Sequence, residues 1–127
     1  MNLHEAKISR LDYELIERIK VLRKRKGWSQ RVLSAKMGLS LTFVGKVESL
    51  GQPEKYSIRH LTLLANAFNL ENFNELFPKN RPSEDMVIIT YRKEQKLKKD
   101  GTPSQFFEEV VVSIKAIKKA KNDFLTN

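Results

Sequence analysis

Apolar residues in the first 78 positions recur at helical spacing, and serines and glycines divide them into short segments. The first segment places Leu15, Ile16, Ile19 and Leu22 three or four residues apart between charged side chains. This spacing predicts an amphipathic helix over about 9–26. Ser9 is suited to cap its start, and Gly27 to end it.

Four further helices follow from the same pattern. They are predicted over about 30–37, over 41–49, from Ser57 onwards and over 72–77. Ser29 and Ser40 are suited to cap the first two of these, and Gly38 supplies a tight turn between them. Pro78 then ends the segment. Five helices within some 70 residues predict a compact all-α domain over 1–78.

The pattern changes after Pro78. Residues 79–83 have the composition of a linker, and residues 86–91 are rich in β-branched side chains, which favours a strand, although a short helix remains an alternative. Thr102 followed by Pro103 is typical of a helix start, so a long amphipathic helix is predicted from 102 to about 124. The expected fold is mainly all-α, with residues 79–127 as a C-terminal extension.

Composition narrows the functional classes. The net charge is +9, shared almost evenly between residues 1–78 (+5) and 79–127 (+4). Such a balance favours a polyanionic partner. The chain has no cysteine, and no apolar run approaches the roughly 20 residues that cross a membrane. We therefore expect a cytoplasmic protein that needs no metal or other cofactor.

The second and third predicted helices have the side chains that a DNA-binding pair needs. In a helix-turn-helix the second helix presents its N-terminal half to base edges in the major groove. Val44 and Val47 are spaced to face the core, which directs Thr42 and Lys46 outward. Gln30 begins the preceding helix, where a side-chain hydrogen bond to phosphate is expected.

Residues 16–77 resemble the lambda-repressor/Cro-type (XRE-like) helix-turn-helix transcriptional regulators. The resemblance rests on Ile-x-x-Leu-Arg ahead of Gly-Trp-Ser-Gln, then Leu, Gly-Leu-Ser and Val-x-x-Val-Glu. It implies a five-helix DNA-binding domain with an internal ion pair between Arg23 and Glu48. It also implies that Gln30 touches a phosphate or a neighbouring base. Together with the basic positions, it indicates a set of DNA-binding residues. They are Ser29, Gln30, Arg31, Ser40, Leu41, Thr42, Phe43, Lys46 and Lys55.

Some of these positions have alternatives. Phe43 can contact a thymine methyl group or fill a groove on the protein, and Lys46 can reach a phosphate instead of a base. Leu41 offers only apolar contact, and Gly45 offers no side chain. Thr42 and Lys46 therefore carry most of the expected hydrogen-bond recognition, and part of any sequence preference would come from DNA shape.

The predicted C-terminal helix has an apolar seam. Its members are Phe107, Val110, Ile114, Ile117 and Phe124, in steps of mostly three or four residues. Such a seam favours pairing with a second subunit, because operators for this motif are commonly two-fold. The alternative is a helix that docks on its own domain.

From the sequence we expect a sequence-specific, DNA-binding transcriptional regulator, for instance a repressor. It would act as a homodimer on double-stranded DNA in the nucleoid. The alternative is an antitoxin or immunity-type regulator that binds a protein partner through residues 84–127. Catalysis is not expected. The adjacent acidic pairs Glu84-Asp85 and Glu108-Glu109 have no third partner with which to hold a catalytic metal.

Overall fold

The computed structural model describes residues 2–118, which form a mixed α/β fold. Within this range four α-helices pack with a three-stranded antiparallel sheet, so the expectation of a mainly all-α, five-helix fold is wrong. The strands are β1 (Leu3–Ser9), β2 (Met86–Leu97) and β3 (Pro103–Ala116). The helices are α1 (Arg10–Arg25), α2 (Gln30–Lys36), α3 (Phe43–Glu48) and α4 (Ile58–Phe68).

Helices α1 and α2 begin and end as the sequence predicts. The Ser9 hydroxyl accepts the backbone N–H of Asp12 at 2.9 Å, and Ser29 caps α2 in the same way. Gly27 and Gly38 follow α1 and α2 with φ of +71° and +73°. Because this left-handed conformation strains residues that carry a Cβ, glycine sets both turns.

Two of the later helices differ from the prediction. Helix α3 begins at Phe43, so Leu41 and Thr42 lie in the turn before it. The predicted fifth helix is only a 3-10 turn at Asn74–Leu76. Helix α4 begins after Ser57 as predicted, and its first residue, Ile58, is 86% exposed because the core lies against later turns.

The sheet has the order β1-β2-β3, with β2 in the centre. Ile8 of β1 pairs with Val87, and Ile89 pairs with Ile114 of β3. Val87 and Ile89 are fully buried and belong to the same core as the helices. The helices and the sheet therefore share one hydrophobic core. The division of the chain into a domain over 1–78 and an extension over 79–127 stays a prediction. The sheet takes β1 from the first part and β2 and β3 from the second.

The predicted helix over 102–124 is wrong where the structure describes it, because residues 103–116 form strand β3. Three consecutive valines, 110–112, favour a strand since β-branched side chains lose less rotamer freedom there. Thr102 does not cap a helix; it donates to the Asp100 carboxylate at 2.6 Å in the hairpin turn. A register shift opposite Thr90 and Tyr91 interrupts the two-residue alternation, so Val110 and Ile114, four residues apart, lie on opposite faces of the sheet.

In the part of the chain that the structure describes, no helix is both long and apolar enough to cross a membrane.

Candidate nucleic-acid interface

Helices α2 and α3 are joined through a buried serine. Ser34 is fully buried, and its hydroxyl accepts the backbone N–H of Val44 at 3.0 Å while donating to the Gln30 carbonyl at 2.9 Å. Val44 and Val47 are buried beneath α3, as the sequence predicts. This side-chain-to-backbone hydrogen bond and the apolar face of α3 together fix the angle between the two helices.

The predicted partners Arg23 and Glu48 are in contact across α1 and α3. Two guanidinium nitrogens of Arg23 donate to the two Glu48 carboxylate oxygens, at 2.9 and 2.8 Å. The third nitrogen donates to the Trp28 carbonyl at 2.8 Å. The two side chains are only 9% and 3% exposed, so this bidentate pair lies within the protein rather than in solvent.

Gln30 joins the same carboxylate from the outer side. Its amide nitrogen donates to Glu48 Oε1 at 3.0 Å. The amide oxygen lies against Gly45, where a Cβ would come within 3.1 Å of it. The Gln30 side chain therefore crosses from α2 to the surface of α3, over the one position of that helix that lacks a side chain.

A shallow depression of about 340 Å³ lies on this outer surface. It is lined by Gln30, Arg31, Leu41, Thr42, Gly45, Lys46, Ser49 and Gln52. Five of the nine predicted DNA-binding residues are thus brought together, and two of them, Arg31 and Lys46, carry positive charge. Leu41 is 43% exposed, which gives the depression an apolar wall.

The other four predicted residues have local roles. Ser29 caps α2, and the Ser40 hydroxyl lies 3.2 Å from that of Thr42. Lys55 directs its ammonium group to loop carbonyls, including that of Glu54 at 3.1 Å. Phe43 is half-buried, with its ring centroid 4.7 Å from that of His60, which favours the packing alternative for Phe43.

Burial alters the titration of two residues behind α3. It raises the pKa of the Tyr56 phenol, with a smaller contribution from the Glu48 charge, so the hydroxyl stays neutral. Burial, followed by the charge of Arg59, lowers the pKa of His60. The neutral His60 ring accepts the backbone N–H of Ser57 at 2.8 Å and so helps to cap α4.

The hairpin of β2 and β3 contacts the far end of α3. The Glu109 carboxylate accepts the backbone N–H of Leu50 at 2.7 Å and the Ser49 hydroxyl at 3.1 Å. Beyond this contact a groove of about 800 Å³ separates the hairpin from the helices. The groove contains lysines from both sides, and Phe106 and Phe107 are more than half exposed beside it.

The residues of the predicted dimerisation seam are not aligned on a helix. Ile114 packs against the core, and Phe107 is 59% exposed beside the groove. Val110 pairs with Arg92, on the sheet face opposite to that of Ile114. The Ile117 backbone N–H donates to the Met86 carbonyl, and Phe124 lies outside the described residues. The prediction of a helical seam is therefore wrong at the four of its positions that the structure describes.

Sequence reasoning did not identify Ser34, Ser49, Gln52 or Glu109. A small polar residue within an apolar helix face is a weak signal, and it could have singled out Ser34. The contact of Glu109 with α3 depends on a strand pairing that no local pattern encodes. Among residues 2–118, no group of three or more histidines and carboxylates is placed to hold a metal ion.

Comparisons with known proteins add one similarity. No protein-family model and no curated protein matches the chain. The chain is similar to the crystal structure of a hypothetical transcription factor, NHTF, from Neisseria, with 26% sequence identity and a TM-score of 0.46. The similarity covers 54% of this chain and 75% of that one.

Proposed function

We propose that the protein is a sequence-specific, DNA-binding transcriptional regulator that inserts α3 and the preceding turn into the major groove. The depression over Gly45 is the observation that carries this proposal. It combines an apolar wall, a neutral amide and two cations on one exposed surface. A base edge and its flanking phosphates present the complementary groups.

The size of α3 supports the same function. An α-helix with its side chains is about 10–12 Å across, which the major groove, about 12 Å wide, admits. Thr42 offers a hydroxyl to a base, Leu41 offers contact to a thymine methyl group, and Lys46 offers a cation to guanine or phosphate. The buried bonds of Ser34 and Glu48 hold these groups in place before DNA binds, which reduces the entropy lost on binding.

We further propose a homodimer, formed through the outer edge of β3 instead of a helical seam. Within residues 2–118 no strand pairs with that edge. Antiparallel pairing of two β3 strands is self-complementary and gives two-fold symmetry, as a symmetric operator requires. Val112, exposed at 49%, and Phe106, exposed at 62%, lie on this strand.

The assembly is tested by light-scattering mass measurement of the full chain. The proposal predicts twice the 14.8 kDa of one chain. Val112→Lys should shift the mass towards the monomer, since edge lysines oppose strand pairing. A wild-type monomer at all concentrations would contradict the dimer and favour the alternative, in which residues 84–127 bind a different protein.

DNA recognition is tested by selection from a random duplex pool with the full chain. The proposal predicts enrichment of a two-fold symmetric site and competition by the selected duplex well above that by unrelated DNA. Recovery of random sequences would contradict the proposed function. The proposal includes no catalytic step, so incubation with magnesium should leave the selected duplex uncut.

A further inference from the structure

Gln30 approaches α3 at the one helical position that has room for it. A Cβ at residue 45 would lie 3.1 Å from the Gln30 amide oxygen and 3.8 Å from its amide carbon. The first distance is shorter than ordinary van der Waals contact. A Cβ at position 45 would therefore force the Gln30 amide to shift by a few tenths of an ångström. Glycine here acts by leaving space, since its backbone is that of an ordinary helix.

Glu48 determines which way the amide faces. A carboxylate can only accept hydrogen bonds, so the Gln30 atom 3.0 Å from it must be the nitrogen. Arg23 holds that carboxylate by two hydrogen bonds in a position that is 97% inaccessible to solvent. The amide oxygen is consequently directed to the Gly45 side. One N–H and the oxygen of Gln30 remain for a ligand.

This pair of groups distinguishes between ligands of different hydrogen-bonding character. Phosphate oxygens only accept, so phosphate would leave the Gln30 oxygen without a donor. Guanine offers two acceptors in the major groove and cytosine a donor, whereas adenine offers one donor and one acceptor side by side. Adenine thus matches both free groups of the amide. Its thymine partner carries a methyl group, for which Leu41 supplies the apolar wall of the same depression.

We propose that Gln30, oriented by Glu48 and admitted by Gly45, is a specificity-determining residue that recognises an A·T base pair from helix α2. The inference rests on the proposed function and deepens it. It assigns one base of each half-site to a residue outside α3. Glu48 and Gly45 act as positioning residues, since neither needs to contact DNA.

The test compares base preferences of the full-length protein and three variants by selection and competition binding. Wild type should prefer A·T at one position of each half-site by roughly tenfold or more, the ordinary discrimination of a bidentate contact. Gln30→Ala should lose the preference at that position and retain it elsewhere. Gly45→Ala should weaken the same preference, since the new methyl group forces the amide to shift by a few tenths of an ångström from the aligned position.

Arg31→Ala is the matched control, because Arg31 follows Gln30 and lines the same depression. It should weaken binding to all duplexes alike and leave the base preferences unchanged. Unaltered far-ultraviolet circular dichroism and urea midpoints establish that each variant is folded.

Two results would overturn the proposal separately from the proposed function. One is a Gln30→Ala variant that loses affinity uniformly and keeps every base preference, which would assign Gln30 to phosphate. The other is a Gln30→Ala variant that loses a preference for a base other than adenine. A wild-type protein that selects no sequence would instead overturn the proposed function and this inference with it.

Discussion

Helix α3 is held on its two sides by different means. Towards α1 and α2 it is fixed by a bidentate ion pair with side chains 9% and 3% exposed and by a hydroxyl that is fully buried. Towards the hairpin it is contacted at its end by the single, partly buried carboxylate of Glu109. The hairpin itself is buried unevenly. Val87 and Ile89, at the start of β2, are fully buried in the core, whereas residues 95–97, near the hairpin turn, are exposed.

The difference indicates how recognition and assembly are divided. Disturbing the α1–α2 side leaves buried polar groups without partners, which is costly. Disturbing the hairpin side exposes its groups to water, which replaces much of the lost hydrogen bonding. We therefore expect the helices to act as one unit, while the outer hairpin changes with little effect on them.

The largest effect is expected from Glu48→Ala. It leaves the Arg23 charge buried, so the free energy of unfolding should fall by about 3–5 kcal/mol. Urea denaturation followed by circular dichroism measures the loss. The double variant Arg23→Met/Glu48→Leu is the control and should recover most of it, because no charge then stays buried. A loss below about 1 kcal/mol in the single variant would mean that water solvates the pair.

Ser34→Ala should have the next largest effect. It removes the acceptor of the buried Val44 N–H, and an unsatisfied amide costs about 1–3 kcal/mol. The same urea titration measures it. Ser40→Ala is the matched control, because Ser40 is exposed and surface substitutions usually stay within about 0.5 kcal/mol. Equal losses in both variants would contradict the role of Ser34 in joining α2 to α3.

Glu109→Gln should have a smaller and more local effect. It replaces a charge-assisted hydrogen bond to Leu50 with a neutral one, which should lower stability by about 1 kcal/mol. Hydrogen exchange should accelerate at hairpin amides and stay unchanged in α2 and α3. Glu108→Gln, whose carboxylate is exposed on the same strand, should change neither region. Faster exchange throughout α2 would show that the two sides of α3 are coupled.

The smallest effect is expected from pH. Burial and the charge of Arg59 lower the pKa of folded His60 below its usual 6.5, so the unfolded chain takes up this proton first as the pH falls. The neutral ring's contribution is present above about pH 6.5 and is lost below it, as the ring ceases to accept the Ser57 N–H. His60→Gln should show a shallower fall of melting temperature between pH 7 and 5. Identical pH profiles would contradict this assignment.

The helical part could be predicted because its signals are local. Ser9, Ser29, Gly27 and Gly38 act within a few residues of their own positions, and each is where the sequence placed it. The sheet depends on pairing between residues 3–9 and 86–92, far apart in the chain. Residues 3–9 do alternate in burial, but seven residues beside a strong helix start are a weak strand signal.

The candidate site was predicted in part for the same reason. The helical pattern placed Leu41, Thr42 and Lys46 on one surface, where the structure has them. It could not show that the Gln30 amide reaches Gly45, since this depends on the angle that Ser34 sets between two helices. The C-terminal seam was wrong because residues 103–116 form a strand, in which Val110 and Ile114 lie on opposite faces despite their helical spacing in sequence.

Sequence recognition by the surface over α3 is measured by the affinity ratio between the selected duplex and a scrambled duplex. The ratio is measured by fluorescence anisotropy at a fixed salt concentration for wild type and for Thr42→Ala/Lys46→Ala. We expect a high ratio for wild type and a much lower one for the double variant, which retains the Gln30 contact and an unchanged melting temperature. An undiminished ratio in a folded double variant would contradict this expectation.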